Sequence, residues 1–138
     1  MLKINSADRW FSLCVRERAQ NICERCGSFP EKGGLHNSHF YGRRKQSVRY
    51  SGLNCAALCY GCHQYFTSHP EEHRQWFKKK IGEEAFDILT EMANDTSRGK
   101  VIKKSLREVA KHYASQLGEM REKRGYGIRG RMEFMDFL

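Results

Sequence analysis

Two Cys-x-x-Cys pairs constrain this chain more than any other feature of its sequence. The pairs are Cys23-Glu-Arg-Cys26 and Cys59-Tyr-Gly-Cys62. A gap of two residues lets both thiolates of a pair face one ion at about 2.3 Å, and two pairs complete a tetrahedral site. Because four thiolates leave no open coordination position, the pattern predicts one structural zinc ion held by these four cysteines.

The other two cysteines and the apolar stretches indicate in which compartment the chain works. Cys14 lies on the apolar face of an expected helix and Cys55 lies in an apolar strand, so both are expected to pack in the core. Residues 1–6 lack the apolar stretch of a secretory signal, and residues 53–60 are too short and polar to span a bilayer. We therefore expect a reducing compartment and no membrane partner.

The charge balance favours a polyanionic partner. Lys and Arg number 25 against 16 Asp and Glu, which gives a net charge of +9. A basic surplus of this size favours nucleic acid, and we expect two clusters to contact DNA phosphates. One cluster lies in a loop flanked by Tyr41 and Tyr50, and the other lies on a helix face. For both clusters the alternative interpretation is a charged surface that contacts only solvent. The candidates are Arg43, Arg44, Lys45 and Arg49 in the loop and Lys103, Lys104 and Arg107 on the helix.

Turn residues and apolar spacing predict the order of the elements. Ser6 or Asp8 is expected to cap a first helix that runs to about Gln20, and Pro70 is expected to open a later helix. Short apolar runs between glycines predict two strands. The two expected strands cover residues 35–41 and 53–58, the helix opened by Pro70 covers 70–80, and a further helix is expected over 83–92.

The C-terminal third is predicted to form a long amphipathic helix. Six apolar residues from Ile102 to Met120 recur every three or four positions, and Asp95 or Thr96 can cap a helix that extends to Arg124. Residues 125–131 are rich in glycine and basic, so they are expected to be flexible. The apolar residues 132–138 are expected to dock on the body or on a partner. We place a boundary between a domain of residues 1–93 and an appendage of residues 94–138.

A second motif surrounds the cysteine pairs. It consists of Ser38-His39-Phe40, followed by Asn54-x-x-x-Leu58-Cys59-x-x-Cys62-His63. This order of histidine, asparagine and histidine resembles that of the HNH nucleases of the ββα-metal class. The wider stretch of residues 38–70 is similar to the NinG/Rap group of bacteriophage recombination endonucleases. The resemblance covers roughly residues 20–90.

The resemblance implies both a fold and an activity. The implied fold is α+β, with a small zinc-stapled ββα-metal core of treble-clef-like form, flanking helices and a long C-terminal helix. The implied activity is divalent-metal-dependent cleavage of DNA in phage recombination, on substrates such as Holliday junctions, in the cytoplasm of the bacterial host. Symmetric cleavage of a junction needs two active sites, so a homodimer through the C-terminal helix or tail is a further hypothesis.

Phosphodiester hydrolysis needs a base, a cation beside the phosphate and a proton for the leaving oxygen. His39 is the candidate base, since a neutral imidazole accepts a proton near neutral pH. By analogy with the family, Asn54 holds the loop that orients the His39 ring. His63 is expected to bind one catalytic divalent ion, Mg²⁺ or Mn²⁺, whose other positions take phosphate and water.

The sequence departs from the family pattern at the catalytic ion. Many relatives have an acid just before the base, where this chain has Ser38, and Thr67 stands where a further ligand is common. The candidates to complete the ligand set are a backbone carbonyl, Ser38 through water, His36, His69 and His73, and His69 is the first choice among them. Two alternatives stay open: a non-catalytic zinc module that binds DNA or a replication or recombination protein, and a chain that binds or cleaves RNA.

Overall fold

Six helices and two strands make up the regular structure of the described residues, in a computed structural model that describes residues 2–31 and 34–138. This content confirms the predicted α+β class. The elements in chain order are α1 (Ser6–Arg18), β1 (Leu35–His39), β2 (Cys55–Cys59), α2 (Tyr60–Ser68), α3 (Pro70–Ile81), α4 (Glu83–Ala93), α5 (Thr96–Lys104) and α6 (Leu106–Gly125), and a short three-ten helix, Gly52–Asn54, precedes β2.

The two strands form an antiparallel hairpin that leads directly into α2. Their register pairs Leu35 with Cys59 and His39 with Cys55. β1 ends two residues earlier than expected. The Phe40 amide still donates to the Asn54 carbonyl opposite it at 2.8 Å, whereas the Tyr41 amide donates to the side-chain Oδ1 of Asn54 at 2.8 Å. The structure therefore contains a β–β–α unit, with residues 40–54 as a long connection between its strands.

The C-terminal helices share a core with the first helix. α6 packs along α1, where the rings of Phe11 and Tyr113 lie 4.9 Å apart between their centroids. Cys14 and Cys55 are both buried in this core, as expected. Residues of α6 lie in the same core as residues of the two strands. The domain boundary between residues 93 and 94 stays a prediction.

The predicted single helix over residues 96–124 is wrong at one point. Asp95 caps the first piece by accepting from the Arg98 amide at 3.1 Å, but α5 then ends at Lys104 and α6 begins at Leu106. Ser105 stands between them, and its hydroxyl donates to the Val101 carbonyl at 2.8 Å. Such a bond from a serine side chain back to the preceding turn competes with the helical ladder and bends helices.

The C-terminal segment docks on the body of the same chain. The expected flexibility of residues 125–131 stays a prediction, while at their end the Arg131 guanidinium donates to Glu24 at 2.7 Å. Further along, Phe134 packs against both Phe11 and Tyr113. Asp136 accepts from the Gly52 amide and from the Ser51 hydroxyl, each at 2.8 Å. The last residues therefore hold the three-ten helix that precedes β2.

A buried ion pair ties the start of α1 to the loop between the strands. Asn5, rather than Ser6 or Asp8, is the N-cap of α1, and Asp8 completes a capping box with it. Asp8 also accepts from Arg49 Nη2 at 2.6 Å and Nε at 2.9 Å. Arg49 is only 4 % exposed. This placement argues against the predicted phosphate contact at Arg49, because its guanidinium is already paired and buried.

Removing one member of this pair should destabilise the fold strongly. We expect Asp8→Asn to lower the free energy of unfolding by about 3–5 kcal/mol, because it leaves the buried Arg49 charge without a partner. Glu83→Gln is the control, since its pair with Lys78 is 3.8 Å long and Glu83 is 85 % exposed. Urea denaturation would measure both. Equal effects of the two variants would contradict this account.

Candidate metal centre and basic cleft

The four cysteines of the two pairs converge on one point. Their sulfur atoms all lie within 4.8 Å of one another, and no other group of three or more His, Cys, Asp or Glu residues in the described ranges converges in this way. The Sγ atoms of Cys26 and Cys59 are 3.8 Å apart. A tetrahedral ion with bonds of about 2.3 Å requires sulfur–sulfur edges of about 3.8 Å. The four cysteines are therefore arranged to bind one metal ion, consistent with the predicted structural zinc.

Local backbone geometry builds the two halves of this centre. Gly27 turns the first pair with a φ of 76°, a left-handed conformation that favours glycine. In the second pair Cys59 is the N-cap of α2, and its sulfur accepts from the Cys62 amide at 3.4 Å. Glu24 joins the halves, because its amide donates to the Ala57 carbonyl at 2.8 Å and its carboxylate accepts from the Ala57 amide at 2.6 Å.

The surroundings of the sulfurs include one cation and two aromatic rings. The Arg25 guanidinium lies 3.5 Å from the Cys62 sulfur and over the rings of Tyr65 and Phe66, at 4.5 and 4.8 Å from their centroids. Hydrogen bonds with Ser28 lower the pKa of Cys26 to about 6, whereas burial raises the pKa of Cys62 to about 12. A bound dication would stabilise all four thiolates, including the buried one.

His39, the candidate base, has one ring nitrogen fixed by the backbone. Its Nε2 lies 2.9 Å from the Arg49 carbonyl, which only accepts, so Nε2 carries the proton and Nδ1 carries the lone pair. Burial, followed by the nearby charge of Arg43, lowers the pKa of His39 to about 4. His39 is therefore a neutral imidazole at neutral pH.

Asn54 is fully buried and holds the connection between the strands. Its Nδ2 donates to the carbonyls of Tyr41 at 2.9 Å and Val48 at 3.1 Å, while its Oδ1 accepts from the Tyr41 amide. Val48 directly precedes Arg49, whose carbonyl fixes His39. Asn54 therefore holds the carbonyl of the residue that directly precedes the one bonded to the His39 ring.

His63 faces a histidine that the sequence ranked low. The Nδ1 atoms of His36 on β1 and His63 on α2 are 3.1 Å apart. Burial and the neighbouring His36 lower the pKa of His63. His69, the first choice from the sequence, is exposed, donates through Nδ1 to the Tyr65 carbonyl at 2.8 Å and stacks on the Tyr65 ring. The structure therefore places His36, and not His69, beside His63.

The other two candidates, His73 and Ser38, are covered to different extents by the fold. His73 stacks on Phe66 with ring centroids 4.7 Å apart. Ser38 is only 3 % exposed, as expected for a residue on the covered face of β1. Thr67 donates its hydroxyl to the His63 carbonyl at 2.9 Å, which fixes α2 and leaves the His63 ring untouched.

An open cleft joins the candidate residues to the loop cations. His39, Arg43 and His63 line one part of it with Arg44 and Lys45, and His36 lines an adjoining part of about 730 Å³ together with Arg43 and His63. Asn37, which sequence reasoning missed, lines both parts. Its side chain is buried, and its Oδ1 has no hydrogen-bond partner among the described residues. No sequence motif marks Asn37, because its significance depends on which face of β1 turns inward.

Four of the predicted DNA-contacting cations, Arg43, Arg44, Lys45 and Lys103, lie on one basic surface. Arg44 and Lys45 extend from the cleft to a second depression, where Lys103 of α5 lies opposite them. Lys104 is exposed on the same helix. Arg107 lies in a different groove beside Trp10 and Lys111. We call the continuous strip of Arg43, Arg44, Lys45 and Lys103 the basic track.

Comparison with known proteins agrees with the motif. The model of the family described as "Bacteriophage Lambda NinG protein" matches residues 3–123, which is most of the chain. This chain belongs to the NinG family. Neither a curated protein nor a solved structure matches it. Among the described residues of this NinG-family chain, no helix is both long and apolar enough to cross a membrane.

Loss of one cysteine from the cluster should remove the ion from this NinG-family protein. We expect Cys59→Ser to lower the metal content from one zinc per chain to well below that and to lower the melting temperature, since structural zinc binding contributes directly to folding. Elemental analysis and thermal unfolding would measure this. Cys14→Ala is the control, because it should lower stability while keeping one zinc per chain.

Stability should depend on pH through His39. Its pKa falls from 6.5 to about 4 on folding, so the unfolded chain binds an extra proton between those values. The stability contributed by the neutral ring is therefore complete above about pH 6.5 and is lost as the pH falls towards 4, by up to about 3 kcal/mol.

The comparison with His39→Gln isolates this effect. Glutamine keeps an N–H donor for the Arg49 carbonyl but does not titrate, and acid-induced loss of zinc affects both proteins alike. Urea denaturation between pH 4 and 7 should show the wild type losing stability relative to the variant as the pH falls. Parallel curves would contradict burial of a neutral His39.

Proposed function

We propose that this NinG-family chain is a divalent-metal-dependent DNA endonuclease. The observation that supports it most directly is the convergence of His39, Arg43 and His63 on one cleft that continues into the basic track. These residues offer a base, a cation for the phosphate and a place for a catalytic ion, and the leaving oxygen would take its proton from water in the open cleft.

His39 is the general base in this proposal. Its Nδ1 accepts a proton from water, while the bond from Nε2 to the Arg49 carbonyl fixes the tautomer and holds the ring. A pKa of about 4 makes the free ring a weak base, but a bound phosphate would raise that pKa by its negative charge. Asn54 positions the loop that carries the Arg49 carbonyl, so its role is indirect.

The cations of the cleft bind and orient the phosphate. Arg43 is 33 % exposed and only loosely paired, since its Nε lies 3.9 Å from Asp8. Its guanidinium is therefore available for a phosphate oxygen. His63 would hold the divalent ion, Mg²⁺ or Mn²⁺ as expected from the sequence. That ion, when bound, supplies stabilisation of the negative charge on the phosphate.

The substrate assignment rests on charge and on the family. The basic track suits a DNA backbone that leaves the cleft across the loop towards α5. A role in phage recombination, branched substrates such as Holliday junctions and action in the host cytoplasm follow from the NinG resemblance alone. A homodimer through α6 or the tail is part of the same proposal, although the tail residue Phe134 already packs on its own chain.

The nuclease proposal predicts metal-dependent cutting that requires His39. We expect the wild type to cleave labelled four-way junctions with Mg²⁺ or Mn²⁺, and to a lesser extent linear duplexes, but not in EDTA. His39→Gln should lower the cleavage rate by about 10²–10⁴-fold, the usual contribution of a general base, while DNA binding is retained. His112→Gln, on the distant α6, is the matched control.

A different result would favour the binding module. Equal and tight DNA binding by wild type and His39→Gln, with no cutting of junction, duplex or RNA by either protein, would overturn the nuclease proposal. The zinc centre and the basic track would then serve a non-catalytic adaptor. Cutting of RNA in preference to DNA would assign the same chemistry to the other nucleic acid.

The basic track predicts a salt dependence. Each phosphate contact with duplex DNA contributes about −0.9 to the slope of log K against log salt concentration. We expect Lys45→Gln combined with Lys103→Gln to reduce the magnitude of that slope by about 1.8, whereas Lys123→Gln, at the far end of α6, should leave it unchanged. Fluorescence anisotropy over a range of KCl concentrations would measure it. Equal slopes for all three proteins would exclude the track as the interface.

A further inference from the structure

We propose that His36 and His63 together bind one first-row transition-metal ion, of the series from Mn²⁺ to Zn²⁺, in preference to Mg²⁺. The role of this ion in catalysis rests on the proposed nuclease function. The binding of the ion does not depend on that function. It makes His36 a ligand that neither the family motif nor the four-cysteine cluster includes.

The distance between the two rings fits a shared ion. Their Nδ1 atoms are 3.1 Å apart and the ring planes are inclined by 76°. Two imidazole nitrogens at about 2.1 Å from one ion, in adjacent octahedral positions, are about 3.0 Å apart. In the free protein the same separation accommodates one N–H···N hydrogen bond between neutral rings. An ion that binds there needs the lone pairs of both Nδ1 atoms, so the ring whose Nδ1 carries the proton changes to the tautomer with the proton on Nε2.

Both ligands stand on elements that the cysteine centre holds in place. His36 lies on β1 opposite Leu58, and His63 directly follows the metal-binding Cys62 in the first turn of α2. The distance between the rings is therefore set by the hairpin and by the junction of β2 with α2. Rigid placement of ligands on such elements preorganises a metal site.

The chemistry of the cleft selects the class of ion. Imidazole nitrogen suits transition ions, whereas Mg²⁺ prefers oxygen ligands, and affinity rises from Mn²⁺ towards Ni²⁺ and Cu²⁺. Asn37 lines the cleft together with His36 and His63, and its Oδ1 is buried and lacks a hydrogen-bond partner among the described residues. Two protein nitrogens leave several coordination positions open, as hydrolytic ions require for phosphate and water.

Calorimetry on the zinc-loaded full chain tests the site with Co²⁺ and Mg²⁺ as probes. We expect one Co²⁺ per chain beyond the zinc, at least tenfold weaker binding in His36→Gln, and no change beyond twofold in His112→Gln. Mg²⁺ should bind at least tenfold more weakly than Co²⁺. Elemental analysis would confirm that the zinc stays bound throughout. Co²⁺ affinity that is equal in wild type and His36→Gln would overturn the proposal.

A second measurement does not depend on how the variant folds. In the wild type, substoichiometric Mn²⁺ should broaden the imidazole resonances of His36 and His63 before those of His69 and His112. Broadening of all four rings alike would overturn the site.

The two proposals fail in different ways. Binding of Co²⁺ that requires His36, in a chain that cuts no nucleic acid, would keep this site and remove the nuclease. Cutting with Mg²⁺ that is unaffected by His36→Gln, together with unchanged Co²⁺ affinity, would keep the nuclease and remove this site.

Discussion

The convergence of four sulfurs is the constraint on which the rest of the site depends. Cys23 and Cys26 follow α1, whereas Cys59 and Cys62 lie where β2 becomes α2. An ion held by all four therefore fastens the first helix to the hairpin and to the helix that carries His63. The sheet has only two strands, and an isolated hairpin is marginal in water. The metal centre and the packing of α1 on α6 supply the rigidity that the small sheet lacks.

Local rules were sufficient for much of this fold. The spacing of the cysteine pairs predicted the cluster, Pro70 predicted the start of α3, and Asp95 predicted the cap of α5. These features depend on residues within a few positions of one another. The break at Ser105 was missed because a hydrophobic stripe continues across it and only the bond of its hydroxyl to the preceding turn reveals the bend.

The roles of Arg49 and His36 depend on contacts with residues that are distant in sequence, and the sequence alone did not predict these contacts. Arg49 belongs by composition to a basic loop, yet it is buried against Asp8, which precedes it by 41 residues. His36 gained its significance from the register of the hairpin, since a strand shows its residues to alternate faces and a sequence alone does not say which face meets α2. His39 and Asn54 were named from the motif, and the structure adds that His39 bonds the Arg49 carbonyl while Asn54 bonds the carbonyl of the preceding residue, Val48.

The pairing of α1 with α6 has a consequence for how the chain reaches its native state. Phe11 and Tyr113 are in contact although about a hundred residues separate them, so the apolar face of α1 stays uncovered until the residues between α1 and α6 have been synthesised. Contacts of such long sequence separation slow folding, because loop closure precedes any gain from burial. The second cysteine pair is synthesised before α6. A metal ion can therefore bind the four cysteines and order the hairpin before α6 is available, and a shortage of zinc during synthesis would leave apolar surface exposed to aggregation.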